Sequence, residues 1–170
     1  MPNKKLLEAL KLGYEAEKEG LRSYLKFAKE TKVVSGKNMF LQLASDEVDH
    51  LELIERMISS LSEGTTVEKV EVPKARLSNF MPDQKDLSLQ PVEKGEIGDE
   101  EALKIALSHE KKAIDFYKAE AQKDYSKEVK EFFTKLAGVE EKHYQIIEAE
   151  LDFMHQDGFW FDTMEFSLEK

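Results

Sequence analysis

An internal repeat constrains the fold of this chain more than any other feature. When the sequence is shifted by 93 residues, residues 8–50 and 101–143 match at 14 of 43 positions. Both copies carry apolar residues three and four positions apart, which is the periodicity of an amphipathic helix. Each copy is long enough for two helices and a turn. The chain therefore predicts two copies of one helical hairpin, and two such hairpins make a four-helix bundle.

Proline and glycine place the break between the hairpins. The chain has only 8 Gly and 4 Pro, and Pro73, Pro82 and Pro91 fall in one stretch. Ser35, Ser126 and Asp99 occupy positions suited to helix N-caps. The predicted helices span about residues 4–31, 36–61, 99–123 and 127–154.

The segment between the hairpins, residues 62–98, is too long for an ordinary connection in a bundle. A crossover along the full length of the bundle accounts for it and makes the second and third helices parallel. This is the ferritin-like arrangement, because an up-down-up-down bundle needs only short loops. We expect residues 1–155 to form this all-α bundle, with hairpins at 4–61 and 99–154.

Composition narrows the class of protein. The net charge of −10 disfavours nucleic acid and anionic membranes as partners. No apolar run is long enough to span a bilayer, and the first residues do not resemble a signal peptide, so we expect a cytoplasmic protein. The absence of cysteine excludes thiolate ligands. Any metal must therefore be held by oxygen and imidazole nitrogen.

Acids and imidazoles interrupt the apolar stripe of every predicted helix. Two of the helices carry a Glu-x-x-His pair, and each of the other two carries one glutamate. These inward-facing residues are Glu17, Glu47, His50, Glu110, Glu140 and His143.

The heights of these residues along the bundle agree. In an antiparallel hairpin, residues equidistant from the turn lie level with each other. Glu17 and Glu47 are centred on residue 32, and Glu110 and Glu140 on residue 125, within the two predicted turns. We therefore expect all six side chains to meet in one layer.

The expected layer has too much negative charge to exist alone. Unpaired buried carboxylates are costly, and no Lys or Arg interrupts the stripes. Four carboxylates would balance two divalent cations, and one Glu from each of two helices plus Glu-x-x-His from the others is a dinuclear pattern. The alternative is a buried polar network without metal, in a scaffold or interaction protein.

At these residues the chain resembles the rubrerythrin family of ferritin-like di-iron proteins. The resemblance rests on the two Glu-x-x-His pairs and on Glu17 and Glu110, each followed seven positions later by a tyrosine. It implies that Glu47 and Glu140 bridge two irons. Glu17 and His50 would complete one site, and Glu110 and His143 the other.

The resemblance also implies an activity: reduction of hydrogen peroxide by the reduced metal pair, followed by re-reduction. Rubrerythrins usually carry a cysteine-ligated rubredoxin iron, which this chain lacks, so an external donor such as rubredoxin would supply electrons. An additional family glutamate is replaced here by Ala113. Ligand types also allow Mn or Zn. We expect a homodimer or small homo-oligomer, and the alternative function is iron oxidation with storage or delivery.

Two tyrosines and the C-terminal tail complete the predictions. Tyr24 and Tyr117 either hydrogen-bond the ligands or substrate or are core residues satisfied elsewhere. His109 is expected at the surface. The tail, residues 156–170, is rich in aromatic residues, and we expect it to pack on the bundle or on a partner subunit.

Overall fold

A computed structural model of the protein describes residues 2–64, 71–76, 93–94 and 98–160. The described residues form four long helices and two short strands, which confirms the predicted all-α, ferritin-like four-helix bundle. The helices are α1 (Pro2–Glu30), α2 (Val34–Glu63), α3 (Asp99–Ala121) and α4 (Lys127–Asp157), and the strands are β1 (Glu93–Lys94) and β2 (Phe159–Trp160).

Two hairpins make the bundle. Helix α1 packs along α2, α3 packs along α4, and α1 also contacts α3. Residues 31–33 and 122–126 connect the helices within each hairpin, and connections this short make the partners antiparallel.

The core consists of two apolar clusters on either side of the predicted polar layer. One contains Tyr24 of α1, Phe40 of α2, Leu103 of α3 and Ile147 of α4. The other contains residues from the opposite half of each helix, namely Leu10, Ile54, Tyr117 and Phe133. Because the first halves of α2 and α3 share a cluster, these helices run parallel, as the long crossover predicted.

One of the three predicted N-caps is correct and two are wrong. Ser126 caps α4, since its Oγ accepts a hydrogen bond from the Val129 amide at 3.4 Å. Ser35 lies inside α2, which starts earlier because Val33 is buried in the core and its carbonyl accepts from the Lys37 amide. Burial of an apolar side chain thus determines this helix start.

Asp99 is the first residue of α3 rather than its cap. The cap is Gly98, whose φ of 106° lies in the left-handed region that glycine adopts without strain. The Asp99 carboxylate instead accepts a hydrogen bond from Nε1 of Trp160 at 2.8 Å. The last helix, α4, continues three residues beyond its predicted end at residue 154, and Gly158 terminates it.

Trp160 ties the end of α4 to the rest of the bundle. Its strand β2 pairs antiparallel with β1 of the crossover, and the indole is fully buried against Phe40. A Cβ on Gly36 would lie 2.7 Å from the indole, so only glycine allows this approach without a shift.

Some residues with a prediction lie outside the described part of the chain. They are Phe161 and Phe166 of the tail and residues 65–70, 77–92 and 95–97 of the crossover. The prediction for the tail as a whole therefore stays a prediction. Of the described helices, none is both long and apolar enough to cross a membrane.

Candidate metal centre

All six predicted ligands are buried in one cluster at the centre of the bundle. Each of them is no more than 3% exposed. Their ligand atoms form two groups, and within each group the atoms lie within 4.8 Å of one another. Both groups contain Glu47 and Glu140. The first adds Glu17 and His50, and the second adds Glu110 and His143.

His50 faces the first group through its Nδ1 atom. This nitrogen lies 3.0 Å from Glu140, 3.2 Å from Glu17 and 3.5 Å from Glu47. Three carboxylates from three different helices therefore converge on one imidazole nitrogen.

His143 faces the second group in the same way. Its Nδ1 lies 2.9 Å from Glu140, 3.7 Å from Glu110 and 3.8 Å from Glu47. The two imidazole rings are 5.8 Å apart between centroids and inclined by 25°. The repeat in the sequence thus becomes an approximate two-fold arrangement of the two groups.

Protons hold this cluster together when it contains no metal. Burial, with the charges of Glu17 and Glu140, raises the pKa of Glu47 well above its usual value. Burial, with the charge of Glu140, raises the pKa of Glu110 to about 7. Burial and crowding therefore favour the protonated forms of these two carboxyl groups.

The pKa values of the two histidines are raised, although burial by itself opposes the charged imidazolium. Burial alone would lower the pKa of His50, but Glu140 and Glu17 raise it well above its usual value. Burial would likewise lower the pKa of His143, and Glu110 and Asp46 raise it. These imidazolium charges in turn hold the pKa of Glu140 below its usual value despite its burial.

The donor set fits a pair of divalent cations. Carboxylate oxygen and imidazole nitrogen suit Fe, Mn and Zn. Among the described residues, Glu110 Oε2 and Glu140 Oε1 are buried without a hydrogen-bond partner, although Glu140 Oε1 lies close to His50. No lysine or arginine of the described part of the chain pairs with these glutamates. Two metal ions that displaced the protons of the cluster would satisfy the free oxygens and balance the four carboxylates.

The two tyrosines hydrogen-bond the cluster in a crossed pattern. The Tyr24 hydroxyl of α1 donates to Glu110 of α3, and the Tyr117 hydroxyl of α3 donates to Glu17 of α1. Burial, with the neighbouring carboxylates, raises the pKa of both phenols well above 10, so both remain donors at neutral pH. Each tyrosine orients the glutamate that belongs to the other copy of the repeat.

Sequence reasoning missed Asp46, which lies directly behind one histidine. Its Oδ2 accepts from His143 Nε2 at 3.0 Å and from the Arg76 amide at 2.9 Å. The Arg76 guanidinium pairs with both Asp46 and Asp49. Burial would raise the pKa of Asp46, but the bonds from His143 and Arg76 lower it. The signal in the sequence was an acid immediately before Glu47, since that position is Val139 in the second copy.

A cavity of about 400 Å³ opens between α1 and α3 and ends at the glutamates. Its lining includes Gly20 and Ala113, which occupy equivalent positions in the two repeats. A Cβ on Gly20 would lie 3.5 Å from the Glu47 carboxyl carbon. His109, expected at the surface, is half-buried in the cavity wall, and burial and Lys112 lower its pKa. It lies there because α3 packs against α1, and the residue before Glu110 faces the cavity between these two helices.

Two helical hairpins, joined by a long crossover, surround a buried cluster of Glu and His. This arrangement is typical of the ferritin-like class of carboxylate metal proteins. The family comparison is more specific, since the rubrerythrin family model matches residues 8–151. The chain belongs to the rubrerythrin family. Comparison with curated proteins and with solved structures gave no match.

Proposed function

We propose that the protein is a dinuclear metal oxidoreductase, with iron as the metal, that reduces hydrogen peroxide with electrons from an external donor such as rubredoxin. The observation that carries this proposal is the sharing of Glu47 and Glu140 between two four-residue groups. Two groups with two common carboxylates suit two adjacent ions better than one ion or two distant ions.

The ligand assignment follows the two groups. Glu47 and Glu140 would bridge, Glu17 and His50 would complete one position, and Glu110 and His143 the other. When bound, such a metal pair would supply the two electrons that reduce a peroxide, one from each ion. The absence of cysteine leaves the chain without a rubredoxin-type iron of its own, which supports a separate donor.

The remaining residues of the centre hold the ligands in place. Tyr24 and Tyr117 donate to Glu110 and Glu17 and fix these carboxylates across the α1–α3 interface. Asp46 accepts from His143 Nε2, so Nδ1 is the nitrogen that would lose its proton and present a lone pair to a bound metal. The cavity between α1 and α3 gives a small molecule a path to the glutamates.

The test is anaerobic reconstitution with ferrous iron, metal analysis, and absorption spectroscopy during addition of peroxide. We expect two ions per chain and rapid, stoichiometric oxidation by hydrogen peroxide, faster than oxidation by oxygen. Faster oxidation by oxygen would contradict the peroxidase assignment. A purified protein that binds no iron, manganese or zinc would contradict the metal centre itself.

Iron storage is distinguished by size. A storage protein needs a closed shell of many subunits around a cavity, whereas a peroxidase of this fold needs only a small oligomer. We expect a dimer or small oligomer in size-exclusion chromatography with light scattering. A large hollow particle that accumulates iron would replace the peroxidase proposal with ferroxidase and storage.

A further inference from the structure

The cavity above the glutamates is larger than hydrogen peroxide requires. A water molecule in the liquid occupies about 30 Å³. Pockets for small organic ligands have volumes of about 300–1,000 Å³. The cavity has a volume of about 400 Å³ and falls in the second range. It has room for an organic group attached to a peroxide.

The walls of the cavity are suited to an apolar group. Gly20 of α1 and Ala113 of α3, each three residues after a cluster glutamate, leave the space between the helices open. Leu12, Ala16 and Phe116 supply further apolar surface. An apolar group placed among these side chains would leave water, which favours binding.

Polar groups are concentrated at the inner end and at the mouth. The inner end consists of the four cluster glutamates with Tyr24. Glu19 and Lys112 lie at the exposed mouth with opposite charges, and His109 is half-buried in the wall. This distribution favours an uncharged molecule whose single polar end points inward.

From this geometry we infer that the substrates are organic hydroperoxides with a short apolar body, which lies between α1 and α3 while the O–O group faces the glutamates. The inference rests on the proposed function. Reduction breaks the O–O bond, consumes two electrons and two protons, and leaves an alcohol and water. The two electrons are those that the metal pair supplies in the proposed function.

Binding is tested first, on the protein without metal. The probe is 2-phenyl-2-propanol, the alcohol left by cumene hydroperoxide, titrated by ligand-observed NMR. Ala113→Leu puts a branched side chain into the cavity. Ala119→Leu makes the same change at an exposed position of α3 outside the cavity. We expect Ala113→Leu to weaken binding about tenfold or more relative to the parent and to Ala119→Leu.

Selectivity is tested next, on the iron-loaded protein. The measured quantity is the ratio of the oxidation rates with cumene hydroperoxide and with hydrogen peroxide. We expect this ratio to fall about tenfold in Ala113→Leu. Ala16→Leu narrows the cavity from the opposite helix and should lower the ratio too, so the test does not depend on one variant folding. Far-UV circular dichroism checks helicity in each case.

Several outcomes would overturn the inference. One is a parent protein that does not bind the alcohol, and another is equal binding by the parent, Ala113→Leu and Ala16→Leu. Rapid oxidation by hydrogen peroxide without oxidation by cumene hydroperoxide would overturn the substrate class and leave the proposed function intact. Absence of bound metal would overturn the proposed function and the hydroperoxide reaction, while the alcohol titration would still decide whether the cavity binds an organic molecule.

Discussion

The two halves of the Glu and His cluster arise from one repeated hairpin, yet they differ behind their histidines. His143 has Asp46 at its Nε2, and Arg76 of the crossover holds Asp46 in place. The corresponding support for His50 would come from Val139, which has no hydrogen-bonding side chain. All the contacts of His50 with ionisable side chains described above are made through Nδ1.

Some contacts of the cluster are therefore common to both halves, whereas others occur in one half only. The two glutamates common to both groups and the crossed tyrosines follow the repeat and are arranged alike in both halves. The Asp46–Arg76 contact breaks the repeat and fixes the tautomer and orientation of one histidine only. We therefore expect the ion beside His143 to bind more tightly than the ion beside His50.

The largest effect should come from residues that both halves share. Glu47→Ala or Glu140→Ala removes a ligand common to both groups, so each variant should lose both ions. Metal analysis after reconstitution measures this loss. Glu148→Ala, at an exposed position of α4, is the control and should retain two ions. Retention of one ion in either ligand variant would show that the glutamate serves only one half.

A smaller effect should come from the residue that distinguishes the halves. Asp46→Asn weakens the acceptor for His143 Nε2 and should reduce the affinity of one ion about 10–100-fold. Competition with a chelator would resolve the two binding steps. Asp49→Asn is matched to it, because Asp49 pairs with Arg76 without contacting His143. Equal losses in both steps would contradict the asymmetry.

Metal affinity should also fall as the pH falls. Groups whose pKa is raised, including Glu110 at about 7, hold protons that a metal must displace. Each displaced proton weakens apparent binding by about tenfold per pH unit below its pKa. Calorimetry in buffers of different ionisation enthalpy would count the protons released near neutral pH. Affinity that does not change between about pH 6 and 8 would contradict these raised pKa values.

The smallest effect should come from the symmetric tyrosine pair. Tyr24→Phe and Tyr117→Phe each remove one hydrogen bond to a buried carboxylate, which should lower the free energy of unfolding by about 1–3 kcal/mol. Because the two bonds are related by the repeat, the two losses should be similar. Urea unfolding of the metal-free variants measures them. A large effect from only one tyrosine would extend the asymmetry beyond Asp46.

Local periodicity and the repeat predicted most of the bundle and the positions of the cluster residues. The stripes determined which residues face inward, and equal distances from each turn determined their common height. Both depend only on helix geometry. The start of α2 escaped this reasoning because burial of Val33, a tertiary effect, outweighed the capping preference of Ser35.

The supporting residues were harder to predict for a different reason. Arg76 lies 30 residues from Asp46 in the chain, and its position depends on the path of the crossover, which has no periodic pattern. The cavity had a weak signal, since Gly20 and Ala113 are small residues at equivalent positions. Small residues at equivalent positions of two helices also occur where the helices simply pack closely together. Their presence alone therefore does not predict a cavity.

The chain's single tryptophan has a practical consequence for studies of folding. Trp160 follows the last helix of the second hairpin, but it packs on Phe40 and Gly36 of the first and hydrogen-bonds Asp99. Its fluorescence therefore reports whether the two hairpins are docked. Emission from this one indole can therefore follow the assembly of the bundle without an added label.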